Sequence, residues 1–158
     1  MRILLAALAL PCLGMTCGPA PSPPEPDDCS APGDEPVAAL AIGPQILDGD
    51  GFEPWRESDT ATITEGAQGG EMLGVTLALG GDPLPACLQQ RTELRQDGVI
   101  GAVADVPVHT YEAGEGARIT STLWLVFEPG FYPLPGSELE VVTEAGGARA
   151  SAHLTLAP

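Results

Sequence analysis

The chain has 158 residues, enough for one domain with appendages, and its 20 Gly, 17 Pro and 4% aromatic residues fit a turn-rich β protein with an extended segment. Six basic residues against 22 acidic ones give a net charge of −16, which sets aside nucleic acid and direct adhesion to anionic headgroups. Such acidity keeps an exposed protein soluble, and divalent-cation binding is its other use. The chain has neither Lys nor Asn, whose codons are AT-rich, which points to a GC-rich bacterial genome.

Arg2 precedes an apolar run over residues 3–10 that is too short to span a bilayer, and Pro11 breaks it. The pattern reads as a secretory signal peptide over 1–16. The stretch Leu13-Gly14-Met15-Thr16-Cys17 resembles the box of bacterial lipoproteins, in which small residues precede a cysteine that is acylated and becomes the first residue. Gly14 stands where that box usually has Leu. The resemblance implies lipidation at Cys17. Gly18, rather than Asp, follows the cysteine, which implies the outer membrane, facing the periplasm or the cell surface. Ordinary cleavage near Ala20 is the alternative, and Cys12 is a poorer attachment point because Pro11 precedes it. Loss of 1–16 removes only Arg2 among the charged groups, leaving five Arg against 22 acids, a net of −17.

Cys12 would leave with the leader and Cys17 would be acylated. Cys29 and Cys87 then remain in an oxidising compartment, where such a pair is expected to form a disulfide. Two free buried thiols are the alternative. No CxxC or HxxxH spacing supports a metal at these cysteines.

Residues 17–36 form a Pro-rich tether. Seven of the residues from Gly18 to Pro36 are Pro and few are large and apolar, so the segment should run extended. Between Cys17 and Cys29 it would reach ~35 Å at full stretch.

From Val37 the chain alternates with period two, the mark of half-buried strands, and 37–158 is the predicted domain. Ala38, Leu40 and Ile42 share a face before Gly43-Pro44 interrupts. Asp48-Gly49-Asp50-Gly51 is a turn, and 60–64 is a short β-branched strand. Over 71–79, Leu73, Val75, Leu77 and Leu79 point one way. Over 87–95, Leu88, Gln90, Thr92 and Leu94 do, although this window is also the one place where a helix competes. Asp97-Gly98 signals a hairpin returning over 99–103. Val106-Pro107-Val108 reads as an edge or a bend. Ile119, Ser121, Leu123, Leu125 and Phe127 align along one strand over 118–127. Strands over 137–143 and 148–156 close the chain around Gly146-Gly147.

About seven to nine short strands with Gly/Pro turns predict an all-β, antiparallel, Ig-like sandwich. The closing hairpin, with Leu139 and Val141 inward before Gly146-Gly147, resembles that of bacterial Ig-like and fibronectin-III-like domains. The whole of 17–158 resembles uncharacterised lipid-anchored β-sandwich proteins of GC-rich Gram-negative bacteria. That resemblance brings no catalytic motif.

Candidate chemistry is sparse. Asp48, Asp50 and Glu53 invite a calcium loop, but Phe52 and Glu53 stand where an oxygen ligand and a Gly are needed, so a plain turn is expected. Asp27-Asp28 and Asp34-Glu35 read as solvated tether charges. His109 and His153 read as surface histidines, with no cupredoxin spacing to Cys87. No GxSxG elbow marks a nucleophile. Trp55 and Trp124 are expected to pack at the core or an edge. Clustered with Tyr132 on an exposed face they would favour sugar. Phe131-Tyr132 is the best candidate for an exposed aromatic contact. No catalytic, cofactor-binding or metal residue is assigned. The expected function is a non-enzymatic, lipid-anchored envelope protein that binds an envelope protein or plays a structural part. A carbohydrate- or divalent-cation-binding module is the alternative.

Overall fold

The computed structural model describes residues 29, 32–33, 35–46, 51–67, 69–114 and 116–158. The leader, Cys17 and the Asp48–Asp50 turn lie outside them. The described residues contain no helix and ten strands: β1 (Ala39–Pro44), β2 (Asp59–Ala61), β3 (Thr64–Glu65), β4 (Glu71–Gly80), β5 (Cys87–Gln96), β6 (Val99–Glu112), β7 (Ala117–Thr120), β8 (Leu123–Val126), β9 (Glu138–Ala145) and β10 (Ala148–Leu156). The window over 88–94 is therefore a strand.

β4 is the hub of one half. Its alternate residues Leu73, Val75, Leu77 and Leu79 are buried as their spacing requires. β3 and β1 pair in tandem along one edge, and β8 and β7 along the other. The other half runs β6-β5-β9-β10-β2, antiparallel except for β2, which lies parallel to β10. Two hairpins set its register. Asp97 and Gly98 have φ of 51° and 77°, and Gly146 and Gly147 have 53° and 75°. Left-handed pairs of this kind make the turn whose twist matches the strands it joins.

The prediction of a sandwich holds only in its coarser part. The molecule is all-β and mostly antiparallel, but its sheet is one continuous, nearly closed, barrel-like path rather than clearly two layers. The reason is β6. The pieces expected over 99–103 and 106–108 are one 14-residue strand. Its residues 99–109 pair with β5, and Thr110–Glu112 pair with β7. Beside β1 the Trp55 amide donates to the Ile42 carbonyl at 2.8 Å, which lays the chain leading into β2 against the edge of β1.

Two bulges shape this path. The strand expected over 118–127 breaks into β7 and β8. Ala78 faces Ile119 but Val75 faces Leu123, so three steps on β4 match four on its partner. The extra residue switches parity, so that Thr120 is buried and then Leu123 and Leu125. Thr120 Oγ1 accepts the buried Leu77 amide at 3.0 Å, supplying an acceptor at the break. Thr76 and Thr122 hydroxyls meet beside it at 3.2 Å. The second bulge lies in β6, between the pairs Arg95–Ile100 and Leu94–Ala102. The skipped residue is Gly101, and a Cβ there would stand 2.2 Å from the Phe131 ring. Glycine is required because the 127–136 loop docks its aromatic ring on the backbone.

The core is aliphatic, from Ile42 through β4, β5 and β9 to Leu154 and Leu156. One polar chain crosses it. Gln90 Nε2 donates to Thr92 Oγ1 (3.0 Å), Thr92 Oγ1 to Thr143 Oγ1 (2.8 Å), and Thr143 Oγ1 to the Arg91 carbonyl (3.2 Å). The last acceptor can only receive, which fixes the direction of the two hydroxyl protons.

Thr120→Val keeps the volume but leaves the Leu77 amide without its acceptor. The expected loss is about 1–3 kcal/mol, read as a lower urea midpoint with unchanged slope. An unchanged midpoint would show that this bond does not hold the bulge.

Candidate functional site

Cys17 lies outside the described residues, as do Asp27, Asp28, Asp34, Asp48 and Asp50. Cys29 and Cys87 are joined by a disulfide with a Cα–Cα distance of 5.5 Å, inside the range such a bridge requires. Both are buried. Gly33 donates its amide to the Cys87 carbonyl at 2.9 Å, and Val37 donates to Gly146 O at 3.0 Å. Among the described residues, contacts with the domain thus reach back to Cys29. His109 pairs with Cys87 across β5 and β6, with Nδ1 3.7 Å from the sulfur. The three potential ligand atoms lie within 4.8 Å of one another. Joined sulfurs are not thiolate ligands, so the cluster could hold a metal only after reduction.

His153 is exposed on β10, as expected. Sequence reasoning missed the charged face around it. Odd-numbered residues of β5 point outward beside the even-numbered ones of β9 and the odd-numbered ones of β10, and they bring Arg91, Arg95 and Arg149 onto one surface. Glu93 sits between two of these, its side chain only 11% exposed, with Oε1 2.7 Å from Arg91 and Oε2 bonded to Arg95. Asp105 and Glu140 flank the row, and Arg149 reaches Glu144 at 3.4 Å. The hydrogen bonds from Arg91 and then Arg95 hold the Glu93 carboxyl below its ordinary value, against the opposing effect of burial. The Glu93 bond likewise raises Arg91. Spacing by two along β5 was the available signal, since R-x-E-x-R places all three on one face.

A cleft lies where the chain entering β2 meets the ends of β1 and β4. Its volume is about 490 Å³, within the range of small-ligand sites. Trp55 lines it, half-buried against the core. Gln45, Glu53, Arg56, Asp59, Thr60 and Thr62 supply the polar lining, and Gly74 forms part of the floor. A turn closes the wall: Asp59 Oδ2 accepts the Arg56 amide at 2.8 Å, and Ser58 has φ of 67°. A non-glycine residue held there is strained, which is a feature of binding sites. Gly74 pairs with Trp124, and a Cβ on Gly74 would stand 2.9 Å from Gln45 Cβ and 3.0 Å from Trp124 Cζ3. Trp124 thus lies against Gly74 on β4, while Trp55 lines the cleft that Gly74 borders. Tyr132 does not join them. It is 75% exposed and borders a separate hollow with Ile63, Phe127 and Phe131. Of the Phe131-Tyr132 pair expected to be exposed, only Tyr132 is, because Phe131 stacks edge-on against Phe127 with centroids 5.4 Å apart.

No protein-family model matches the chain, and no curated protein or solved structure shows significant similarity to it.

Two outcomes are expected. A depressed carboxylate stabilises the fold above its unfolded pKa, and that stability is lost as pH falls through the folded one. Glu93→Gln should therefore melt below wild type at neutral pH, and the gap should shrink as pH drops below the ordinary glutamate range. A gap independent of pH would mean that the pairing contributes nothing. Reduction of the disulfide, 58 residues apart in sequence, should cost on the order of 4 kcal/mol in the chain-entropy model. Urea unfolding with and without dithiothreitol measures it, and coincident curves would contradict it.

Proposed function

We propose that the protein is a non-enzymatic, lipid-anchored component of the bacterial cell envelope whose β domain binds a partner protein. The leader and the box ending at Cys17 support the anchor. The Cys29–Cys87 disulfide supports an oxidising compartment. The kinship with Ig-like, lipid-anchored sandwich proteins belongs to the same reading. The closing β9–β10 hairpin and the two strand sets facing one core support it.

One observation carries the protein-binding part. Ile100, Val126, Tyr132 and Leu134 are exposed, and Tyr132 lines the hollow between Phe131 and Gly70, with Ile63, Phe127 and Pro129 as its apolar neighbours. The Phe131 ring covers Gly101 next to Ile100, and Val126 lies 3.7 Å from the Cβ position of Gly70. Glu65, Glu71 and Glu128 rim this hollow. An apolar centre inside a charged rim is the anatomy of a protein contact. The acidic rim suits a partner whose apolar side chains are flanked by Lys or Arg.

Cys17→Ser should move the protein from the membrane to the soluble fraction and abolish labelling with palmitate. Retention of both would refute the anchor. In cross-linked envelopes, a specific adduct of the wild type should be lost in Val126→Asp/Tyr132→Ser. An adduct pattern unchanged by that variant would refute the contact surface.

A further inference from the structure

We propose that the cleft at Trp55 is a binding site for a neutral saccharide, separate from the protein-binding surface. A sugar ring offers an apolar C–H face and an equator of hydroxyls. The cleft offers the complement. Trp55 is fixed by its own packing against the core and by its amide bond to Ile42, so its indole needs no ordering on binding. Around it stand groups suited to paired hydroxyl contacts: the carboxylates of Glu53 and Asp59, the Arg56 guanidinium and the Gln45 amide. Asp59 is held in place by the Arg56 amide, which leaves its other oxygen to accept.

Charge selects the class of sugar. The chain from Cys17 onward carries −17, and the cleft itself places two carboxylates against one guanidinium. Acidic sugars and phosphorylated glycans meet repulsion at long range and no excess of cations at short range. Neutral sugars meet neither cost. Gly74 lets Gln45 sit close over β4 at the edge of the cleft, since a Cβ there would stand 2.9 Å from Gln45 Cβ.

The test is calorimetric titration of the soluble Cys17→Ser protein with cellohexaose, maltohexaose and hexa-N-acetylchitohexaose, each to about 10 mM, with oligogalacturonate as the acidic counterpart. At least one neutral hexasaccharide should give a saturable isotherm, and oligogalacturonate should give none. Glu53→Ala, at an exposed position, should weaken binding by about tenfold. Trp55→Ala should abolish binding, and it is scored only if its circular dichroism matches wild type. If that variant does not fold, Glu53→Ala decides. Absence of heat with all three neutral probes overturns the proposal. So does equal binding of oligogalacturonate, or affinity indifferent to Glu53→Ala.

Discussion

The hand-over of β6 from β5 to β7 is the constraint on which the rest depends. A strand that stayed with β5 throughout would leave β4 and its neighbours as a separate layer. Because Thr110–Glu112 cross to β7, the two halves share backbone hydrogen bonds as well as side-chain packing. The crossing is fixed by a buried contact. Thr110 donates its hydroxyl to the Pro85 carbonyl and its amide to Ala86 O (2.8 Å), while Arg118 Nε donates to Thr110 Oγ1 at 2.7 Å. One threonine thus ties the start of β5, the end of β6 and β7 together. The disulfide at Cys87 lies one residue away from this knot, which anchors the incoming chain where the sheet is least able to yield.

The same geometry leaves β6 with an edge to manage. Thr110 N–H faces β5, whereas the carbonyls of His109 and Gly101 accept from Ser121 and Glu128 on the other side. By alternation, Val103, Asp105 and Pro107 turn their backbone groups to that open side. Pro107 has no amide to leave unpaired there, and Asp105 adds a charge. Both are devices that blunt an edge against a second chain.

The strands were largely legible because period-two alternation reports burial on one face, and the residues it points inward on β4 and β5 are buried, although Gly74, Thr76 and Glu93 on the other face are covered too. The glycine hairpins were legible for a local reason, the left-handed φ that Asp97-Gly98 and Gly146-Gly147 adopt. What sequence could not carry were the bulges. Ser121 and Thr122 look like two more members of an alternating run, and only pairing with β4 forces the extra residue out. Gly101 gave no sign that Phe131, thirty residues on, would cover it. The continuous sheet escaped notice for the same reason, since Pro107 marks a bend but not which strand lies beyond it. The cleft is harder still, because Trp55, Gln45 and Gly74 come together only where the chain entering β2 returns beside β1 and β4.

The placement of the few cations completes the picture of what this surface can receive. Of the five arginines beyond the leader, Arg91, Arg95 and Arg149 are paired with acids on the outer face of β5, β9 and β10. Arg118 is spent on Thr110, through both its oxygen atoms. Arg56 lines the cleft beside Trp55. A protein so acidic has to neutralise the carboxylates its sheet brings together, and pairing on adjacent strands does so locally, with little charge left over to attract an anion. The face that carries three arginines is therefore a stabilising face rather than an anion site. The two surfaces proposed for recognition are the apolar hollow rimmed by glutamates and the cleft in which a single guanidinium offsets, without overcoming, two carboxylates.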